Sequence, residues 1–395
     1  MKYSIISSIF ILTIFLFFFL HIGIKDNKQS TLENRALTQR PDLTLESYLS
    51  GNYSKRFDQY YSDQFPFRDV LIETKAKIDS SILQRKIIED VYISSDGYLL
   101  SQVAEQTNTS AKQIAENINQ FAKEMKDLNV TTYTALMPNK STMMEEKFPR
   151  YFPSYGQKNL DMLYEYLDEL TNPIDSRDIL EKHLNEENMF FYTDHHWQSK
   201  AAFYAYQNVM STIIKNENMN EQIYEFDDYI WELKGKAFYG SDARKTTAAN
   251  VKITDKILVA QPKNDYYKYK VTWGKRSSEN LYNSTFLELD DPYTNRYQAY
   301  MGGDYANLIV KNLKKENDLN TLVIKDSYAN AFIQFLVPHY SETHVMDLRH
   351  YKGMPISEYV KKYNIDHIIL LNNVNSIYVT PSLTNFNNPG QGENQ

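Results

Sequence analysis

Two stretches of this chain gather side chains able to do acid–base and nucleophilic chemistry. The first is Tyr192-Thr193-Asp194-His195-His196-Trp197, which sets a carboxylate two residues before an imidazole. A carboxylate that holds one ring nitrogen of His196 fixes the tautomer and leaves the other nitrogen to accept a proton. The second is Leu322-Val323-Ile324-Lys325-Asp326-Ser327-Tyr328-Ala329-Asn330, an apolar strand ending in a polar turn. A serine there presents its Oγ at the carboxyl end of a sheet, with backbone N–H groups of the next helix facing a developing oxyanion. Taken together they predict Ser327 as nucleophile, His196 as base and Asp194 as orienter. Taken apart, each has a plainer reading, as a helix cap with incidental histidines and as a capping serine. A metal site on Asp194, His195 and His196 is a third reading. Adjacent side chains seldom converge on one ion and no histidine pair stands at i, i+4, so no metal is expected.

These residues need elements to hold them. The apolar positions Trp197, Ala201, Tyr204, Ala205 and Val209 predict a helix capped by Thr193 or Asp194, which places His196 at its N-terminus. The dipole there disfavours imidazolium. Upstream, Ser94-Ser95-Asp96-Gly97 reads as a hairpin turn between two short strands. Ser110 to about Leu128 is an amphipathic helix, followed by a strand from Val130 to Leu136 and a helix over about Gln157–Leu170. The rhythm returns at the end of the chain. Leu322-Val323-Ile324 is a strand, Ala329–Leu336 helical, His344–Leu348 a strand, Ile356–Tyr363 a helix and Ile368–Leu371 a strand. Strands alternating with helices imply an α/β fold with a mainly parallel sheet covered on both faces. Residues 217–310 break the rhythm. They are rich in Tyr and Asn, with β-like runs at Ile253–Val259 and Tyr269–Trp273, and read as an insertion shaping the substrate surface.

The Asp194-His195-His196-Trp197 block resembles the motif that names the DHHW protein family. Asp194-x-His196 and Lys325-Asp326-Ser327 resemble the Asp-x-His pair and Gly-Asp-Ser motif of the alginate O-acetyltransferase group. The resemblance extends to Glu33-Asn34-Arg35, Phe65-Pro66-Phe67-Arg68, Asp96-Gly97-Tyr98, Pro138-Asn139-Lys140 and Asp347-Leu348-Arg349. It implies an SGNH-hydrolase-like three-layer sandwich and a serine enzyme that moves acetyl groups onto an extracytoplasmic polysaccharide or cell-wall glycan. It also implies a multipass membrane O-acyltransferase as acetyl supplier, no cofactor, and a structural role for Arg68. The chain departs from the pattern at Lys325, where the group has Gly, and no Gly-x-Asn-Asp-like block supplies oxyanion donors. Backbone N–H groups near Tyr328, with Arg349 or Asn330, are expected instead. His195 and Trp197 are expected beside the site. An esterase with the same triad and a non-catalytic glycan-binding scaffold are the rival readings.

Composition sets the surroundings. A net charge of −7 without a basic block argues against nucleic acid as partner. The chain has no cysteine, which excludes disulfides, thiolate metal sites and a Cys nucleophile. Tyr3 to Ile24 carries no charge. At about 1.5 Å per residue it is long enough to cross a hydrocarbon core of about 30 Å. It has no convincing small-x-small cleavage site, so residues 1–24 are read as a retained signal anchor, with cleavage and secretion as the alternative. The expected order is then anchor (1–24), linker and helical region (25–90), catalytic domain (91–380) outside the cytoplasm, and a disordered tail (381–395).

Overall fold

The computed structural model describes residues 2–263, 268–315 and 317–387. The chain divides into two compact units, one running up to Glu89 and including Ala243–Val251, the other formed by Asp90–Asp242 and the chain from Lys252 onward. Ala243–Val251 falls inside the stretch read as an insertion, yet groups with the first unit.

In the first unit a helix covers Lys2–Gly23. Its stretch Ile5–Gly23 is long and apolar enough to cross a membrane. Helices Asn52–Asp63 and Arg68–Lys77 follow, separated at Phe65-Pro66-Phe67. Proline disfavours helical backbone in the residue before it, which explains the break. Two of the motifs meet here as ion pairs. Arg35 grips Asp63 through two bonds of 2.6 and 2.9 Å, and Arg68 grips Glu33 at 2.5 and 3.0 Å. Arg68 thus carries a structural contact.

The second unit is an α/β sandwich. Its elements, in chain order, are α1 (Asn108–Lys126), β1 (Thr131–Met137), α2 (Gly156–Tyr166), α3 (Ser199–Glu217), β2 (Tyr269–Trp273), β3 (Arg276–Ser278), β4 (Asn307–Asn312), β5 (Asn320–Lys325), α4 (Ile333–Leu336), β6 (Glu342–Met346), α5 (Ile356–Tyr363) and β7 (His367–Asn373). The strands lie in the order β3-β2-β4-β6-β5-β7-β1. The four from β6 to β1 are parallel, and β2, β3 and β4 add antiparallel pairs at one edge. The stretch read as an insertion is therefore partly sheet: β2 pairs with β4 and widens it.

Alternation along the strands feeds two cores. Leu322 and Ile324 of β5 enter the core shared with α1, α2 and α5, while Val323 enters the one shared with α3 and α4. This is the period of two expected of a strand buried on both faces. Three layers result. β5 leads to β6 on one side, and the chain then returns past β5 to form β7 on the other. In open α/β sheets that reversal opens a crevice beyond the carboxyl ends of the strands, where ligands bind. Ser327 follows β5 at that place.

Three local expectations need revision. α3 begins at Ser199 with Gln198 at its cap position, so neither Thr193 nor Asp194 caps it and His196 precedes the helix. The side chains of Thr193 and Asp194 are bonded elsewhere, to Asp255 and His196. The turn after β5 is a 3-10 helix, Ser327–Ala331, with α4 only four residues long. The tail does not begin at 381. Pro381–Thr384 forms a 3-10 turn, and Phe386 is buried with its ring stacked on Phe121 at 4.1 Å. Residues 388–395 lie outside the described residues.

Candidate active site

Asp194, His196 and Ser327 come together in one line. His196 Nδ1 lies 2.6 Å from Asp194 Oδ1, and His196 Nε2 lies 2.9 Å from Ser327 Oγ. Asp194 and His196 are buried; Ser327 is partly open to solvent. The tautomer follows from the carboxylate: Nδ1 donates to Asp194, so Nε2 accepts from the serine hydroxyl. Burial by itself raises the Asp194 pKa, but the charge and hydrogen bond of His196, the charge of His195 and the Ser241 N–H outweigh it. The carboxyl is held well below its ordinary range. It remains an anion able to orient the ring and stabilise an imidazolium.

The loop carrying Asp194 and His196 is fixed from several directions. Lys140, wholly buried, donates through Nζ to the carbonyls of Asp194 (2.6 Å) and Tyr192 (3.3 Å) and to Asp242 Oδ2 (2.9 Å). It sits at the carboxyl end of β1, where Asn139 caps a short helix by accepting from the Thr142 N–H. Asp255 accepts from the backbone N–H groups of Tyr192 and Thr193 and from the Thr193 hydroxyl. Its pKa is pushed up to about 6 by burial, against the pull of those donors and of Lys140. Ser241 N–H donates to Asp194 Oδ2 at 2.8 Å, and Gly240 N–H to Thr193 Oγ1 at 2.9 Å. A Cβ on Gly240 would lie 2.3 Å from Asp194 Cβ, so this approach requires glycine.

His195 and Trp197 flank the reacting groups. His195 Nδ1 lies 2.6 Å from Ser241 Oγ, and its side chain is 43% exposed, in contrast to 7% for His196. Trp197 Nε1–H donates to the carbonyl of Tyr328 at 2.8 Å, which the Tyr297 hydroxyl also reaches at 3.1 Å. The Tyr297 ring stacks on His196 with centroids 3.8 Å apart.

The groups expected to stabilise an oxyanion at Tyr328, Asn330 and Arg349 have other partners. The Tyr328 N–H donates to Asp326 Oδ1. Asn330 accepts from Lys325 and donates to Asp304. Arg349 is forked onto Asp347 at 2.9 and 2.5 Å and reaches Asp304 at 3.2 Å. Lys325, where the resembling group has glycine, is wholly buried, with Nζ 2.7 Å from Asp304 Oδ1. Two cations thus balance two carboxylates beside the serine turn, and Lys325 keeps Asp304 ionised against its burial. The backbone N–H of Ser327 has no hydrogen-bond partner among the described residues.

Comparison with known proteins agrees with this architecture. Residues 91–254 match the family model described as the SGNH hydrolase-like domain of the acetyltransferase AlgX. The chain carries an SGNH-hydrolase-like fold, of the kind found in acetyl-transfer enzymes. Among solved structures it is similar to Bacillus cereus PatB1, with 25% identity over 76% of this chain and 100% of that one, at a TM-score of 0.66. PatB1 has also been solved with a sulfonyl adduct, a match at 24% identity covering 75% of this chain and 97% of that one, with a TM-score of 0.65. A DHHW family protein from Eubacterium siraeum matches at 18% identity over 74% of this chain and 93% of that one, with a TM-score of 0.61. None of the curated protein sequences matches.

Proposed function

We propose that this chain is an O-acetyltransferase that loads an acetyl group on Ser327 and passes it to a hydroxyl of an extracytoplasmic glycan. The observation that carries the reading is the unbroken line from Asp194 through both nitrogens of His196 to Ser327 Oγ. Ser327 Oγ attacks the acetyl carbonyl carbon of the donor while His196 Nε2 takes its proton. Collapse of the tetrahedral intermediate breaks the bond to the leaving group, which takes the proton from His196. A sugar hydroxyl then attacks acetyl-Ser327, giving its proton to His196, and Ser327 leaves and recovers that proton. The Ser327 N–H, unpartnered among the described residues, supplies the first hydrogen bond to the developing oxyanion. The acetyl donor is presented by a separate multipass membrane acyltransferase, and the chain is held outside the cytoplasm by its apolar helix.

One observation favours a second reading. Ser327 is partly open to solvent, so water competes with the sugar and the same triad then works as an esterase. Two experiments decide. A sulfonyl fluoride should label Ser327 in wild type and not in Ser327→Ala, as read by peptide mass spectrometry. The variant should also lose p-nitrophenyl acetate turnover; turnover at the wild-type rate would sink the serine mechanism. Acetyl transfer to added oligosaccharides identifies the transferase, and release of acetate alone with every glycan identifies the esterase.

A further inference from the structure

The apolar helix at the start of the chain does not stand apart from the residues that follow it. Phe17 stacks on Phe65 with centroids 5.1 Å apart, and His21 packs against Tyr61 at 4.7 Å and Tyr60 at 5.5 Å. Just past the helix, Asn27 and Gln64 exchange two hydrogen bonds of 2.9 Å. Cleavage near Ile24 would remove Phe17 and His21 from this packing, so the helix is a built part of its unit.

A groove of about 610 Å³ opens where the helix meets these residues. Its lining includes Phe18 and Ile22 from the helix, and Phe57. It also includes Lys25, Lys28 and Arg40, none of which has an ion-pair partner among the described residues. Asp26 is the one carboxylate in the lining, and it accepts from the Tyr60 hydroxyl at 3.2 Å. His21 is in the lining as well.

We propose that this groove binds one anionic phospholipid. Its acyl chains lie along Phe18, Ile22 and Phe57, continuous with the bilayer that the helix enters. Its phosphate meets Lys25, Lys28 and Arg40. Phe18 and Ile22 lie on the apolar helix while Lys25 and Lys28 follow its end at Gly23, the order of a phospholipid from tail to headgroup. A surplus of two positive charges among the lining side chains selects an anionic headgroup over a zwitterionic one.

The full chain, with its intact mass verified, is reconstituted in nanodiscs of equal phosphatidylglycerol and phosphatidylcholine, and native mass spectrometry counts the lipids it retains. Wild type should keep one phosphatidylglycerol in preference to phosphatidylcholine. The triple variant Lys25→Gln, Lys28→Gln, Arg40→Gln should lose that retention by on the order of 100-fold, with its thermal melt unchanged. Should the triple variant fail to fold, the preference of wild type between the two lipids decides alone. Equal retention of the two lipids, or undiminished retention by a folded variant, overturns the proposal. So does displacement of the lipid by millimolar glycerol 3-phosphate, which would mean that the cations read a free phosphate. An intact mass lacking residues 1–24 removes the apolar wall and overturns it as well.

Discussion

His195 and His196 are neighbours in the chain with different surroundings. His196 is enclosed, with both nitrogens in the line from Asp194 to Ser327, whereas His195 turns outward and meets Ser241. His196→Ala is expected to lose nearly all turnover, and His195→Gln to keep a measurable fraction, by p-nitrophenyl acetate kinetics. Asp194→Asn should be severely impaired, on the order of 10⁴-fold in kcat, through loss of the tautomer lock. Equal losses at the two histidines, with activity removed by chelators and restored by zinc, would instead assign the cluster to a metal. Arg349 has a different standing. Its guanidinium is committed to Asp347 and Asp304, so Arg349→Ala should lower the thermal midpoint as well as turnover. A loss of kcat with unchanged melting would return it to the oxyanion.

At the scale of elements, the turn at Gly240, just before the helix Ser241–Thr246, decides whether Asp194 is aimed. Gly240→Ala would drive a methyl into Asp194 and displace it. A misplacement of about 1 Å at a reacting constellation costs on the order of 10²-fold, so kcat should fall by that much while KM for a small ester changes little. A variant with wild-type kcat would show that the loop yields rather than the carboxylate. This element also marks the limit of what the sequence discloses. Asp-x-His is local, and a serine after an apolar strand is local, so both were legible, as was the alternation of strand and helix. Lys140, Asp242 and Asp255 reach the Asp194 loop from about fifty residues or more away, and no periodicity announces such contacts. Lys140 lay within a recognised motif, Pro138-Asn139-Lys140, without a role attached. The misplaced start of α3 has the same origin. Thr193 and Asp194 are good capping residues by type, but Asp255 and His196 claim their side chains.

Across the second unit as a whole, buried histidines set the response to acid. His339, His344 and His367 are all buried, and desolvation lowers each below its ordinary 6.5 although Glu221, Glu342 and Glu217 pull upward. A lowered folded pKa means that the unfolded chain takes up the proton first, so stability is lost as pH falls below 6.5. Asp255 acts in the opposite sense. Its raised folded pKa of about 6 favours the fold below 3.8, and that contribution fades as pH rises through 6. Burial raises Glu145 and Asp326 in the same sense, but the histidines, whose unfolded pKa is 6.5, titrate first, so the thermal midpoint should decline as pH falls from 6.5. His344→Gln keeps a hydrogen-bonding side chain toward Tyr359 and Glu342 without titrating, and should flatten that decline. A midpoint that rises on acidification would contradict the assignment.

The bond from Trp197 to the Tyr328 carbonyl has an optical consequence. The chain holds three tryptophans, Trp197, Trp231 and Trp273, and only Trp197 hangs from the residue next to Ser327. Indole emission depends on the polarity and hydrogen bonding around Nε1, so the proposed esterification of Ser327 would, by moving that carbonyl, change the colour and yield of Trp197. With Trp231 and Trp273 replaced by Phe, the chain becomes its own fluorescent reporter. Rise and decay of the Trp197 signal in a stopped-flow instrument would time the loading of the serine and its discharge to water or sugar separately, without a chromogenic ester.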